Sequence, residues 1–196
     1  MIWGTIKNER KLVPYDRVLK FIMPFVPEKL KPNHVTFVRL VFVPVLILFL
    51  MVNEYLLSAV LFIFMAFTDM LDGSMARLRN QITDWGKLWD PVADKLMIGS
   101  VVVVLLFQLN FSLAILILSL ELIFITGGLF YKLSANHPSD IQANNWGKIK
   151  MNLQCFGAIA LIIGFGADSA SCVLIGEILF YFSLFFSALS LLTKGI

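Results

Sequence analysis

Residues 55–109 read YLLSAVLFIFMAFTDMLDGSMARLRNQITDWGKLWDPVADKLMIGSVVVVLLFQL. Two apolar runs, each near the roughly 20 residues that carry a helix across about 30 Å of hydrocarbon, flank a polar junction. That junction holds five acids, Asp69, Asp72, Asp84, Asp90 and Asp94. Working outward, the same apolar habit fills most of the chain: 59% of the 196 residues are hydrophobic, 15% are charged, and the mean hydropathy is +0.84. Such a composition excludes a soluble enzyme or a disordered tail and predicts an all-α integral membrane protein.

Six apolar stretches lie at about 35–52, 55–73, 87–109, 111–134, 149–168 and 170–192, so the fold expected is a six-transmembrane-helix bundle. An even number of spans returns both termini to one side. The basic residues say which side, because cytoplasmic connections carry the positive excess. Seven precede the first span, namely Lys7, Arg10, Lys11, Arg17, Lys20, Lys29 and Lys31. Arg77, Arg79 and Lys87 follow the second span, Lys132, Lys148 and Lys150 flank the connection after the fourth, and Lys194 ends the chain. The short connections near Asn53–Glu54, Gln108–Asn110 and Asp168–Ser171 contain no Lys or Arg. Both termini are therefore expected in the cytoplasm, and Trp85, Trp89 and Trp146 fall at the same boundary, where aromatic anchors belong.

Residues 1–34 form a separate cytoplasmic segment ahead of the membrane domain 35–196. Within it, residues 11–30 mix Leu12, Val13, Leu19, Phe21 and Ile22 with Lys11, Arg17 and Lys20, which predicts a juxtamembrane amphipathic helix lying on the bilayer. No short apolar core followed by small residues marks a cleavable signal peptide. Cys155 and Cys172 lie in separate apolar stretches and form no disulfide or zinc pattern. A net charge of +3 over a largely apolar chain leaves no case for a nucleic-acid partner.

Acids at membrane depth cost several kcal/mol unless they face a cavity, pair, or bind an ion. On a helix, Asp69 and Asp72 stand about 60° apart and Asp90 and Asp94 about 40° apart, so each apolar run ends in two carboxylates on one stripe. Four facing carboxylates repel. A hard divalent cation, Mg²⁺ or Mn²⁺, relieves that repulsion and keeps coordination positions for phosphate oxygens. Gly73 and Ala76 clear bulk beside Asp72, and Arg77 supplies paired donors for a phosphate. Together they describe a diphosphate site at the cytoplasmic membrane surface. The same residues also suit a proton relay, an ion path through a divalent-cation transporter, or paired charges between helices.

Asp69, Asp72, Gly73, Ala76, Arg77, Gly86, Asp90 and Asp94 fill every position of a signature that resembles that of the CDP-alcohol phosphotransferase (CDP-alcohol phosphatidyltransferase) family. Pro32, Asn33, Thr36 and Arg39 at the start of the first span also look like that family. The resemblance implies transfer of a phosphatidyl group from a CDP-linked lipid, usually CDP-diacylglycerol, to a hydroxyl, with release of CMP. It implies a metal site of Asp69, Asp72, Asp90 and Asp94, the first three holding Mg²⁺ or Mn²⁺ on the diphosphate. Asp90 and Asp94 are then the catalytic acids, and Asp94 the base. Asp69, Asp72, Gly73, Ala76, Arg77, Thr83 and Gly86 would line the CDP pocket. The resemblance further implies a homodimer.

The signature is silent on the acceptor. Residues 146–154, WGKIKMNLQ, resemble the GKxKTxxQ segment of phosphatidylglycerophosphate synthases, whose acceptor is glycerol 3-phosphate. Lys148 and Lys150 are then expected to bind the acceptor's phosphate, against the plainer reading of positive-inside anchoring. Inositol phosphate, serine and phosphatidylglycerol remain alternative acceptors within the family. Glu121 and Glu177 are read as interhelical hydrogen-bonding groups, and His34 and His137 as interfacial polar residues.

Overall fold

The computed structural model describes residues 32–78, 84–134 and 145–194, and the side chains of 33–75, 89–127 and 145–193. Every described element is helical. Helix α1 spans Pro32–Met51, α2 Tyr55–Leu78, α3 Asp84–Val101, α4 Phe111–Ser134, α5 Asn145–Gly166 and α6 Ala170–Lys194. α3 runs on through a π-helical turn at Val102–Leu106 and a last turn at Phe107–Leu109. The juxtamembrane segment expected at 11–30, and Thr83, lie outside the described residues.

Each apolar stretch read from the sequence coincides with one helical segment to within a few residues, with α2 running on to Leu78 and α3 beginning at Asp84. Asp69 and Asp72 belong to the last turns of α2, and Asp90 and Asp94 to the first turns of α3. Five segments are long and apolar enough to cross a bilayer: Asn33–Met51, Tyr55–Met75, Trp89–Leu109, Asn145–Gly166 and Ala170–Thr193. In α4 the apolar run is shorter, Phe111–Gly127. The outward faces carry exposed Phe37, Leu48, Leu56, Leu122, Phe156 and Phe185. Such faces belong against acyl chains.

Two tight turns set the helices antiparallel. Asn53 (φ 62°) and Asp168 (φ 47°) both take the left-handed conformation that Asn and Asp tolerate better than most side chains. After Asn53 the Glu54 amide reaches back to the Phe49 carbonyl (2.9 Å), and after Asp168 the Ser169 amide reaches the Gly164 carbonyl (2.9 Å). Each is the six-to-one bond that closes a helix whose terminal carbonyls would otherwise go unpaired. At the start of α4 the Leu113 amide donates to Asn110 Oδ1 (3.1 Å), a side-chain N-cap.

Lipid gives helices no hydrophobic reason to associate, so close packing and polar contacts must supply it. α5 and α6 meet across glycines. A Cβ placed on Gly164 would lie 2.7 Å from Val173 Cγ2 and 2.8 Å from the Val173 nitrogen, and one on Gly176 would lie 2.7 Å from Leu161 Cδ2. Leu46, Phe62, Met65, Val101, Leu161 and Phe180 are wholly buried between the helices. Buried polar side chains concentrate at one end, where α1, α3 and α5 begin and α2 and α6 end: Thr36, Arg39, Asp72, Ser74, Asp94, Lys150, Gln154, Ser187 and Ser190.

Candidate active site

The two aspartate stripes face each other as their spacing predicts, and a residue of α1 lies between them. Arg39 Nη1 donates to Asp69 Oδ1 (2.5 Å) and to Asp94 Oδ1, while Nη2 donates to Asp72 Oδ2 (2.6 Å). One turn earlier on the same face, the Thr36 hydroxyl is 2.7 Å from Asp90 Oδ1 and 3.3 Å from Asp72 Oδ2. All four acids are thereby tied to the first turns of α1. The Arg39 side chain has no exposed surface and that of Asp72 is 3% exposed, whereas Asp69 keeps 33% and forms the open lip of the cluster.

The sequence expectation left these carboxylates without a protein counter-charge. The structure corrects it: Arg39 provides one. A lone arginine within an apolar helix was the signal available, since a charge at membrane depth needs partners. One guanidinium against four carboxylates still leaves a large negative excess. The donors are all carboxylate oxygens, which suits Mg²⁺ or Mn²⁺. Among the described residues, however, no three acidic, His or Cys groups converge on a position ready to hold a metal ion. One oxygen each of Asp69, Asp72 and Asp94 is engaged by Arg39.

Beside the acids lies a group of opposite charge. Lys150 Nζ is 2.7 Å from Glu121 Oε1, Lys95 Nζ is 3.7 Å from Glu121 Oε2, and Gln154 Nε2 donates to Glu121 Oε1 (2.9 Å). Lys150 also sits over the Phe124 ring, 4.1 Å from its centroid. Glu121 therefore bonds between α4 and α5, as expected of it. Lys95, which the sequence reading passed over, brings a second ammonium to the same carboxylate. Glu177 of α6 accepts from Asn110 Nδ2 (3.2 Å) in the turn before α4, tying that turn to α6.

A cavity of about 370 Å³ joins the two groups, its lining shared by Asp90, Asp94, Glu121, Lys95, Lys148 and Lys150. Lys148 and Lys150 are thus brought to the acids although more than fifty positions separate them in sequence. Gly73 lies on α2 between Asp72 and the buried Ser74. The side chains of Ala76 and Arg77, the surroundings of Gly86, and Thr83 altogether lie outside the described residues.

The chain matches the CDP-alcohol phosphatidyltransferase family over residues 29–189. It is 34% identical over 167 residues to a Rickettsia felis protein named CDP-diacylglycerol--glycerol-3-phosphate 3-phosphatidyltransferase, a match covering 83% of this chain and 92% of that one. Proteins of the same name from Rickettsia prowazekii and Bacillus subtilis are 34% and 32% identical. The first covers 83% of this chain and 92% of the relative, the second 67% and 76%.

Proposed function

This chain belongs to the CDP-alcohol phosphatidyltransferase family, and from that premise we propose that it transfers the phosphatidyl group of CDP-diacylglycerol to glycerol 3-phosphate, releasing CMP and forming phosphatidylglycerophosphate. The observation that carries the acceptor is the shared cavity, which Asp90 and Asp94 line together with three lysines. An acceptor with a hydroxyl at one end and a phosphate at the other suits such a mixed lining. The names of the relatives agree with this reading.

Asp94 is the base. It takes the proton of the acceptor hydroxyl, whose oxygen attacks the phosphorus that carries the lipid, and the bond from that phosphorus to the CMP oxygen breaks. Lys148 and Lys150, with Lys95, hold the acceptor phosphate and so convert a bimolecular encounter into a positioned one. Asp69, Asp72 and Asp90 would hold Mg²⁺ or Mn²⁺, which when bound neutralises charge building on the diphosphate and the departing CMP. Gly73, Ala76, Arg77, Thr83 and Gly86 are assigned to the CDP group from their places in or beside the sequence signature.

All six helices cross the bilayer in this reading. The starts of α3 and α5 line one cavity, so the chain leaving the far end of α3 must return before α5 begins, and α4 is the segment that returns it. The polar end faces the cytoplasm because the basic connections gather there.

The test is CMP release by purified protein from CDP-diacylglycerol with Mg²⁺ or Mn²⁺, with and without glycerol 3-phosphate. Stimulation by glycerol 3-phosphate above inositol phosphate, serine and phosphatidylglycerol is expected. A preference for a non-phosphorylated alcohol would overturn the role given to the lysines.

A further inference from the structure

Arg39 is the single Lys or Arg of α1, and it is 1% exposed in a helix otherwise almost wholly apolar. A buried guanidinium costs heavily unless carboxylates surround it. Here they surround it to excess. Asp69 and Asp94 share Nη1, Asp72 takes Nη2, and Thr36 holds Asp90 alongside. Its Nε, by contrast, is buried without a hydrogen-bond partner. An arginine serving purely as a tie between helices would be expected to use all its donors, since an orphaned buried N–H is costly.

The oxygens that Arg39 engages are those a divalent cation needs. A carboxylate oxygen directed at Nη1 cannot at the same time give its full charge to an ion elsewhere in the cluster. We propose that Arg39 is a resident counter-cation, a positioning residue that holds the four acids together before metal binds and must release Asp69 and Asp72 when it does. The inference rests on the metal reading of the aspartates given above. It makes metal affinity a property of α1 as much as of the aspartate motif, and it keeps the four acids in one cluster while no metal is bound.

The experiment is Mn²⁺ binding, followed by electron paramagnetic resonance, on detergent-purified and chelator-stripped protein, together with the thermal midpoint without metal. Wild type is compared with Arg39→Gln and Arg39→Lys. Removing a competing unit charge at contact distance should lower the Mn²⁺ Kd of Arg39→Gln about ten-fold or more. Its metal-free midpoint should fall, and its stabilisation by Mn²⁺ should exceed that of wild type. Arg39→Lys keeps the charge without the planar fork and should lie between the two. A Kd for Arg39→Gln equal to or weaker than wild type, even with a lowered midpoint, would reduce Arg39 to a structural tie and overturn the proposal. If Arg39→Gln does not fold without metal, the Kd of Arg39→Lys decides, and one no tighter than wild type overturns it equally. Mn²⁺ binding by wild type without gain in the variants removes this inference alone. No Mn²⁺ binding by any of the proteins removes the metal reading with it.

Discussion

Lys150 and Gln154, one helical turn apart on α5, both converge on Glu121 Oε1 of α4, at 2.7 Å and 2.9 Å. The other oxygen of that carboxylate is approached by Lys95 of α3. Three helices thus meet at one glutamate, and the surplus positive charge opens on the same cavity as the aspartates.

Glu121→Gln should therefore act in two directions. Leaving a buried ammonium, Lys150, and a half-buried one, Lys95, without their carboxylate should cost about 3 kcal/mol of stability, read as a lower thermal midpoint. The freed lysines should meanwhile lower the KM for glycerol 3-phosphate, with that for CDP-diacylglycerol little changed. A rise in the acceptor KM would show that Glu121 itself contacts the acceptor.

Lys148 is exposed, so its truncation should carry little folding cost. Lys148→Ala should raise the KM for glycerol 3-phosphate about ten-fold, the worth of one charge-assisted hydrogen bond, and leave that for CDP-diacylglycerol nearly unmoved. Steady-state kinetics with each substrate varied in turn make the distinction. An unchanged acceptor KM would return Lys148 to membrane anchoring.

Asp94 and Asp69 share one guanidinium nitrogen but differ in exposure and, in the proposed mechanism, in role. Asp94→Asn should lower kcat by about 10² to 10⁴-fold, the usual contribution of a general base, while metal-dependent binding of CDP-diacylglycerol survives. Asp69→Asn should weaken both turnover and binding. Equal loss of binding in the two variants would remove the base assignment.

Two glycines should answer oppositely to the same substitution. Gly164→Ala pushes a methyl group against the Val173 backbone, which cannot turn aside, so α5 and α6 must separate at a cost of about 1–3 kcal/mol. Gly99→Ala meets nothing within 4 Å and should leave the midpoint unchanged or raise it, because alanine favours helix by about 1 kcal/mol. Thermal unfolding in one detergent checks both.

Much of the fold was legible because membrane spans announce themselves by length and apolarity, and the tight turns at Asn53 and Asp168 fall where basic residues are missing. The aspartates were legible because their spacing alone puts each pair on one stripe. Arg39 was harder to weigh. It stands thirty positions before Asp69 in an apolar helix, and nothing in local periodicity says that α1 packs against the junction of α2 and α3. Lys95 escaped for a related reason: adjacent to Asp94, it reads as part of the acidic motif until α4 supplies Glu121. Contacts between helices distant in sequence are the part that periodicity does not encode.

Asp94 and Lys95 are consecutive on α3, yet about 100° of helical turn sends one to the guanidinium on α1 and the other to the glutamate on α4. In the proposed mechanism, the base and one acceptor-binding cation are thus mounted on neighbouring Cα atoms of one helix. A tilt or rotation of α3 would then move both at once, which leaves the cations of α5 as the part of the site that can shift independently of the base.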